Sequence, residues 1–481
     1  MSLTAASYNA LSGLNMASLT SRLISDNIAN SMTPGYGVRT LGLTSDHNGS
    51  GVKVQSITRF VDPVLLANRR EADALLASTS TMTRFYARIE DIIGLPDDES
   101  SLSARMTRFQ ADLLEAASRP DSGIRLDQAA HSAGELVDVI NEAATAVQDL
   151  RNDAEKDIAA QVVRMNDLLA GIDELNTSIS KTMISGKSAA PLVDQRQNMI
   201  DELAKIVPVK EVERENGQIS LYSAGGAILL DIEPAEIGFT QVNLVTQYAT
   251  LDNGQLYGLT LNGRDISVDP DRSALRGGSL MAAFEVRDVT GVEMQARLDG
   301  MARDLVERFE DPALDATRAP GDPGLFTDSG SAFNPADELG LAQRLALNAA
   351  VDPDQGGESW RLRDGLGAAA PGEIGNADLI QDLMGAMEGA RTAPTSVGTG
   401  SYSATGLADY VTSLISTERA RAESDNSFAA IRQTEMSALL DADGVDTDAE
   451  LASLMLVEQV YAANAQVMQT IDSMLQTLME I

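Results

Sequence analysis

"LASLMLVEQVYAANAQVMQTIDSMLQTLMEI", residues 451–481, carries the reading on which the fold turns. Leu454, Val457, Tyr461, Asn464, Met468, Ile471, Leu475 and Leu478 recur along this stretch and its approach at alternating steps of three and four. That spacing makes a heptad seam, one stripe of a helix that faces a partner helix. Asn464 is its only polar member. No Pro or Gly interrupts the run, and Thr447 followed by Glu450 matches a capping box that would start the helix.

The other end of the chain carries a weaker counterpart. Leu3, Ser7, Ala10, Leu14, Ala17, Ser21, Ile24 and Ile28 repeat the same alternation, with small residues at half the positions. Small side chains let two helices approach closely. "NIANSMTPGYG", residues 27–37, then stops the helix, and Pro34 followed by Gly35 predicts a type II turn with Gly35 at positive φ. Two seams at opposite ends predict terminal helices that pair with each other or with neighbouring chains. The alternative is two ordinary amphipathic helices on one globular core.

Between the ends, helical patterns dominate residues 62–206. One starts at Asp62-Pro63 and ends at Gly94, a second begins after Ser100 and stops before Pro120, and a third runs over roughly 121–185 with one charged face. Pro191 opens a fourth that Pro208 closes. From 208 to about 270 the pattern alternates, with Asn216-Gly217 and Asn253-Gly254 as hairpin turns. Helix returns at 278–311, a Pro/Gly/Asp-rich stretch follows over 312–374, and 392–403 reads as a flexible connector. The expected class is mainly α with a β-rich insertion, built from nested discontinuous domains. Residues 1–45 and 445–481 would form a terminal coiled coil. Residues 46–207, 272–311 and 375–444 would form an elongated helical bundle, with 208–271 a β-rich insertion and 312–374 an irregular outer one.

Composition narrows the function. A formal charge of −35 over 481 residues repels nucleic-acid phosphates and anionic membranes. The absence of cysteine removes disulfides and thiol chemistry, and two histidines, His47 and His131, are too few for a histidine-built metal site. No apolar run is long enough for a membrane span, and the first residues do not resemble a secretory signal. "DADGVDTDAE", residues 441–450, places Gly444 and Ala452 where an EF-hand loop needs neither, and reads as a turn. "GTGSYSATG", residues 398–406, lacks a phosphate-binding pattern, and no serine occupies a nucleophile elbow. No catalytic residue, cofactor or metal ligand is assigned, and the chain is not expected to be an enzyme.

"SDNIANSMTPGYGVRT", residues 25–40, resembles the N-terminal signature of flagellar rod, hook and hook-associated axial proteins, and the Tyr-Ala-Ala-Asn core at 461–464 is similar to their terminal helix. "LVDQRQNMIDELAKIVPV" (192–209) and "LRGGSLMAAFEVRD" (275–288) narrow the resemblance to the hook-associated proteins of the hook–filament junction. The resemblance implies a structural protein of the bacterial flagellum, extracellular and exported without a cleaved signal peptide. It implies helical self-assembly through the terminal helices, with the hook protein, a second junction protein and a flagellar export chaperone as partners. Another axial protein, of hook or distal rod, would share both ends. An outer domain with adhesive or hydrolytic activity is the alternative from a different class. The assembly residues expected are Leu14, Ala17, Ile24 and Ile28, the corner Asn30, Thr33, Pro34, Gly35 and Tyr36, and the C-terminal seam.

Overall fold

A computed structural model describes residues 3–45 and 51–479. His47 lies outside the described residues. Helix α1 (Leu3–Ala29) and helix α12 (Thr447–Met479) pack side by side and antiparallel. Three contacts fix their direction: Ser7 with Met468, Gly13 with Asn464, and Asn27 with Glu450. The small residues of α1 at the seam are what allow this approach; Ala10, Gly13 and Ala17 are all buried. The start of α12 differs from the capping box expected at Thr447. Asp446 is the cap, its carboxylate accepting the Asp448 and Ala449 amides at 3.0 and 3.1 Å. Glu450 is thereby released to reach across to Asn27.

After the Thr33–Tyr36 turn the chain forms a hairpin, β1 (Val38–Ser45) and β2 (Val52–Phe60), that the helical reading of residue 46 onward did not foresee. Its signal was the Val, Thr and Ile alternation in "VKVQSITRF". Val38 pairs with Phe60 and Ser45 with Val52, with a bulge at Gly42–Leu43.

The helical body follows. Helix α2 (Pro63–Ile93) is capped by Asp62 and ends at Gly94, whose φ of 80° suits glycine. Ser101 caps α3 (Leu102–Ser118). Helix α4 (Gly123–Ile184) is 62 residues, about 90 Å long, and α5 (Ala190–Ile206) folds back on it. Helices α6 (Gly278–Glu285) and α7 (Gly291–Phe309) are joined through a π turn at Val286–Thr290. Helix α11 (Ala404–Ala442) lies along α2.

Residues 209–266 form two small antiparallel sheets. The first is β3 (Val209–Glu213), β4 (Ile219–Ser223) and β5 (Ile228–Leu230); the second is β6 (Ile237–Phe239), β7 (Leu259–Leu261) and β8 (Arg264–Ile266). Asn216 and Gly217 both take positive φ at the β3–β4 turn, as expected. The second turn differs: Asn262 and Gly263, at φ 50° and 74°, join β7 to β8, while Asn253-Gly254 sits in an irregular loop. Two Asn-Gly pairs stood in one stretch, and only the downstream pair is flanked by residues that find strand partners.

Residues 312–374 pack into the body rather than standing apart. They contain β9 (Phe326–Asp328), α8 (Leu341–Arg344), β10 (Leu345–Leu347) and α9 (Arg361–Asp364). Phe326 meets Phe109 of α3 and Phe309 of α7 at ring separations of 5.9 and 5.2 Å. Helix α10 (Asp378–Glu388) follows, and then the stretch read as a flexible connector. It is held by β11 (Arg391–Thr392) pairing with β12 (Ser401–Tyr402), by buried Ala393 and Val397, and by Tyr402 stacking on Tyr410.

Helix α4 runs through two hydrophobic cores. Its residues 126–154 join α3, α7 and α10, and its residues 158–172 join α5, α6 and the sheets. A buried polar layer separates them, in which Arg287 meets Glu155 at 2.5 Å and Asp288 at 2.7 Å.

Candidate assembly interface

Ala17 and Ile24 of the predicted seam are buried, and Leu14 and Ile28 are half-buried against α12. On α12, Leu454, Val457, Asn464 and Met468 are half-buried and Ile471 is buried. Three seam residues stay largely in solvent: Tyr461 at 49%, Leu475 at 44% and Leu478 at 59%. The register explains them. Gly13 opposite Asn464 sets Tyr461 level with Met16–Ala17, of which only Ala17 is buried. It also carries Leu475 and Leu478 past Leu3, the first described residue of α1.

A second stripe flanks the seam on α12, roughly a quarter-turn around the helix. Leu456, Val460, Val467 and Met474 are all exposed, at steps of four, seven and seven. Helix α1 adds exposed Tyr8, Leu11 and Leu19. This stripe was visible in the sequence as a second heptad row beside the stronger one. Among the described residues no element covers it, so the helix pair presents apolar surface on a side that a monomer does not use.

The corner joins the helix pair to the rest of the molecule. The Tyr36 amide donates to Thr33 O at 3.1 Å and Gly35 sits at φ 76°, the expected type II arrangement. Asn30 donates to Asp26 O at 2.8 Å and accepts from the Thr33 hydroxyl at 3.3 Å, closing the helix end. Thr33 and Pro34 face solvent. Two residues missed by the sequence reading organise the corner. Asn27, buried, donates to Arg39 O at 2.9 Å and accepts from Arg39 N–H at 3.1 Å, so its side chain mimics a strand neighbour of β1. The Tyr36 hydroxyl also donates to Asn27, at 2.7 Å, and burial raises the Tyr36 pKa. The second is Asp194 on α5. It accepts from Gly37 N–H at 3.3 Å, from Arg39 at 2.7 Å and from Arg59 at 2.6 Å. One carboxylate thus holds both strands of the hairpin to the helical body. Its signal lay in the "VDQR" block, residues 193–196, which the sequence alone could not pair with Arg39 or Arg59.

Deeper in, Arg70 bridges Asp201 at 2.8 Å and Glu211 at 3.0 Å, with Arg69 also on Asp201. A cleft of about 470 Å³ remains between Pro34, Phe60, Leu66 and Leu440, where the corner, hairpin base and α11–α12 turn face one another. Among the described residues no cluster of His, Asp and Glu is arranged to hold a metal ion, and no helix is long and apolar enough to cross a membrane. His131 is exposed beside Glu135.

Residues 86–325 match the family model described as "Flagellar hook-associated protein FlgK helical domain", and residues 436–481 match "Flagellar basal body rod FlgEFG protein C-terminal". Flagellar hook-associated protein 1 of Salmonella typhimurium (strain LT2) is 30% identical over 309 residues, covering 57% of this chain and 54% of its own length. The chain thus spans about half the length of that relative. Flagellar hook-associated protein 1 of Bacillus subtilis (strain 168) is 22% identical over 489 residues, covering 94% of this chain and 92% of its own. A solved structure, the flagellar hook junction protein FlgK of Burkholderia pseudomallei, aligns over 55% of this chain and 47% of its own at 19% identity and a TM-score of 0.44. With one family model on the helical body and another on the terminal helix, the chain belongs to the flagellar hook-associated protein family.

Proposed function

We propose that this protein is a structural component of the bacterial flagellum that joins hook to filament, assembling side by side with its own copies through the terminal helix pair. The observation that carries the reading is the two-sided α12, which packs α1 on one face and leaves Leu456, Val460, Val467 and Met474 bare on another. A coiled layer of copies would bury that stripe, while the Asp194 clamp keeps each helical body at a set angle to its own terminal pair. Leu14, Ala17, Ile24 and Ile28 act inside the pair, and the exposed Thr33–Pro34 turn lies where neighbouring copies would meet. The hook protein and a second junction protein would flank the layer. Export would proceed through the flagellar apparatus, with a chaperone shielding the α12 stripe beforehand. The role needs no cofactor and no catalysis.

Deleting the gene tests the reading. Electron microscopy should then show hooks without filaments, with flagellin released into the medium. Filaments of normal number and length on the deleted strain would overturn it.

A further inference from the structure

Asn464 is the polar residue of the α12 seam, and it meets Gly13, the only glycine of α1. A Cβ on Gly13 would lie 2.7 Å from both Nδ2 and Oδ1 of Asn464, closer than packed side chains sit. The Asn464 amide donates to Val460 O at 2.9 Å within its own helix, and its bulk fills the notch at Gly13. Each residue is a poor choice alone. Glycine inside a helix costs about 1 kcal/mol relative to alanine, and an asparagine in an apolar seam lowers stability while fixing register.

We infer that Gly13 and Asn464 form a register lock for the terminal helix pair. Both seams repeat every heptad, so a slip of one heptad, about 10 Å, would still set apolar stripe against apolar stripe. Such a slip puts Asn464 level with Ala6 or Thr20, where no notch exists, and Val457 or Ile471 level with Gly13. Only the native register also brings Glu450 to Asn27, which ties the lock to the corner. The lock concerns pairing within one chain and stands apart from the assembly reading.

The chain has no cysteine, so engineered pairs report register without background. Ser7→Cys with Met468→Cys marks the native register; Ser7→Cys with Tyr461→Cys or with Leu475→Cys marks slips of one heptad. In the purified full chain, oxidation should trap the 7–468 pair and neither slipped pair. Adding Asn464→Leu should let the slipped pairs trap alongside it. Gly13→Leu should abolish 7–468 trapping, and Gly13→Leu combined with Asn464→Gly should restore it. An Asn464→Leu chain that still traps the 7–468 pair alone overturns the lock. So does a combined variant that keeps native circular dichroism without regaining the trap.

Discussion

Asn27, in the last turn of α1, donates a hydrogen bond to Glu450, in the first turn of α12, at 2.6 Å. The residues stand 423 positions apart, and the same Asn27 side chain pairs with the backbone of Arg39. One amide therefore joins both terminal helices to the first strand of the hairpin.

Asn27→Ala should leave the Tyr36 hydroxyl and the Arg39 backbone without their buried partner. The expected loss is about 1–3 kcal/mol, confined to the terminal pair and hairpin. Hydrogen exchange should quicken across α1 and β1 and stay unchanged in α3 and α4. A uniform change over the whole chain would contradict the local role.

Asp194→Ala should free both strands of the hairpin from α5. Arg39 and Arg59 are largely buried beside it, so their uncompensated charges add to the lost bonds. A cost of about 2–4 kcal/mol is expected, with faster proteolysis between residues 31 and 61. Asp194→Asn, which keeps one acceptor, should lose less. Equal proteolysis of Asp194→Ala and the parent would remove the clamp.

Arg151 is buried and carries no carboxylate of its own; its guanidinium donates to Arg287 O at 2.8 Å, Ala249 O at 2.8 Å and Thr246 O at 3.2 Å. Burial lowers its pKa to about 10. Arg151→Leu strands those carbonyls and should cost about 3–5 kcal/mol. The loop over 240–258 should become the fastest-exchanging part of the body. Unchanged protection there would show that neighbouring Asn152 and Glu155 hold it alone.

Acid should at first strengthen the body. Burial raises the pKa values of Asp299, Asp304 and Glu285. A carboxyl whose folded pKa exceeds its unfolded value binds protons more readily when folded, so stability grows as pH falls through the folded pKa and levels off below the unfolded one, about 4. Lower negative charge works the same way in a chain at −35. Below about pH 4, protonation of Asp364, whose pKa is lowered by its hydrogen bond from Arg363, reverses the trend. The urea midpoint should rise as the pH falls from 7 toward the unfolded-state value of about 4, and Asp299→Asn should flatten that rise. A midpoint that falls steadily over the same range would refute this.

The periodic parts of the fold were legible because period and capping are local. The pairing of the terminal helices, Asp62 as a cap, and Gly35 in its turn all follow from neighbours in sequence. What escaped depends on distant partners. The β1–β2 hairpin rests on Asn27 and Asp194, and neither advertises a strand contact in its own segment. Residues 312–374 lack periodicity, yet Phe326 completes an aromatic cluster with residues more than a dozen positions away. Glu450 looked like half of a capping box and instead crosses to the other terminal helix. Of the helix pair, Ala17, Ile24 and Ile471 were legible as buried positions, whereas Tyr461, Leu475 and Leu478 stay largely in solvent and the flanking stripe was masked by the stronger row.

The direct measurement is filament formation by a chain carrying Val467→Asp and Met474→Asp. Both residues are exposed, so the isolated protein should keep its stability within about 0.5 kcal/mol. Supplied to cells that lack the parent chain, the variant should be made and exported yet leave hooks bare. Filaments in parental number on those cells would contradict assembly through the flanking stripe of α12.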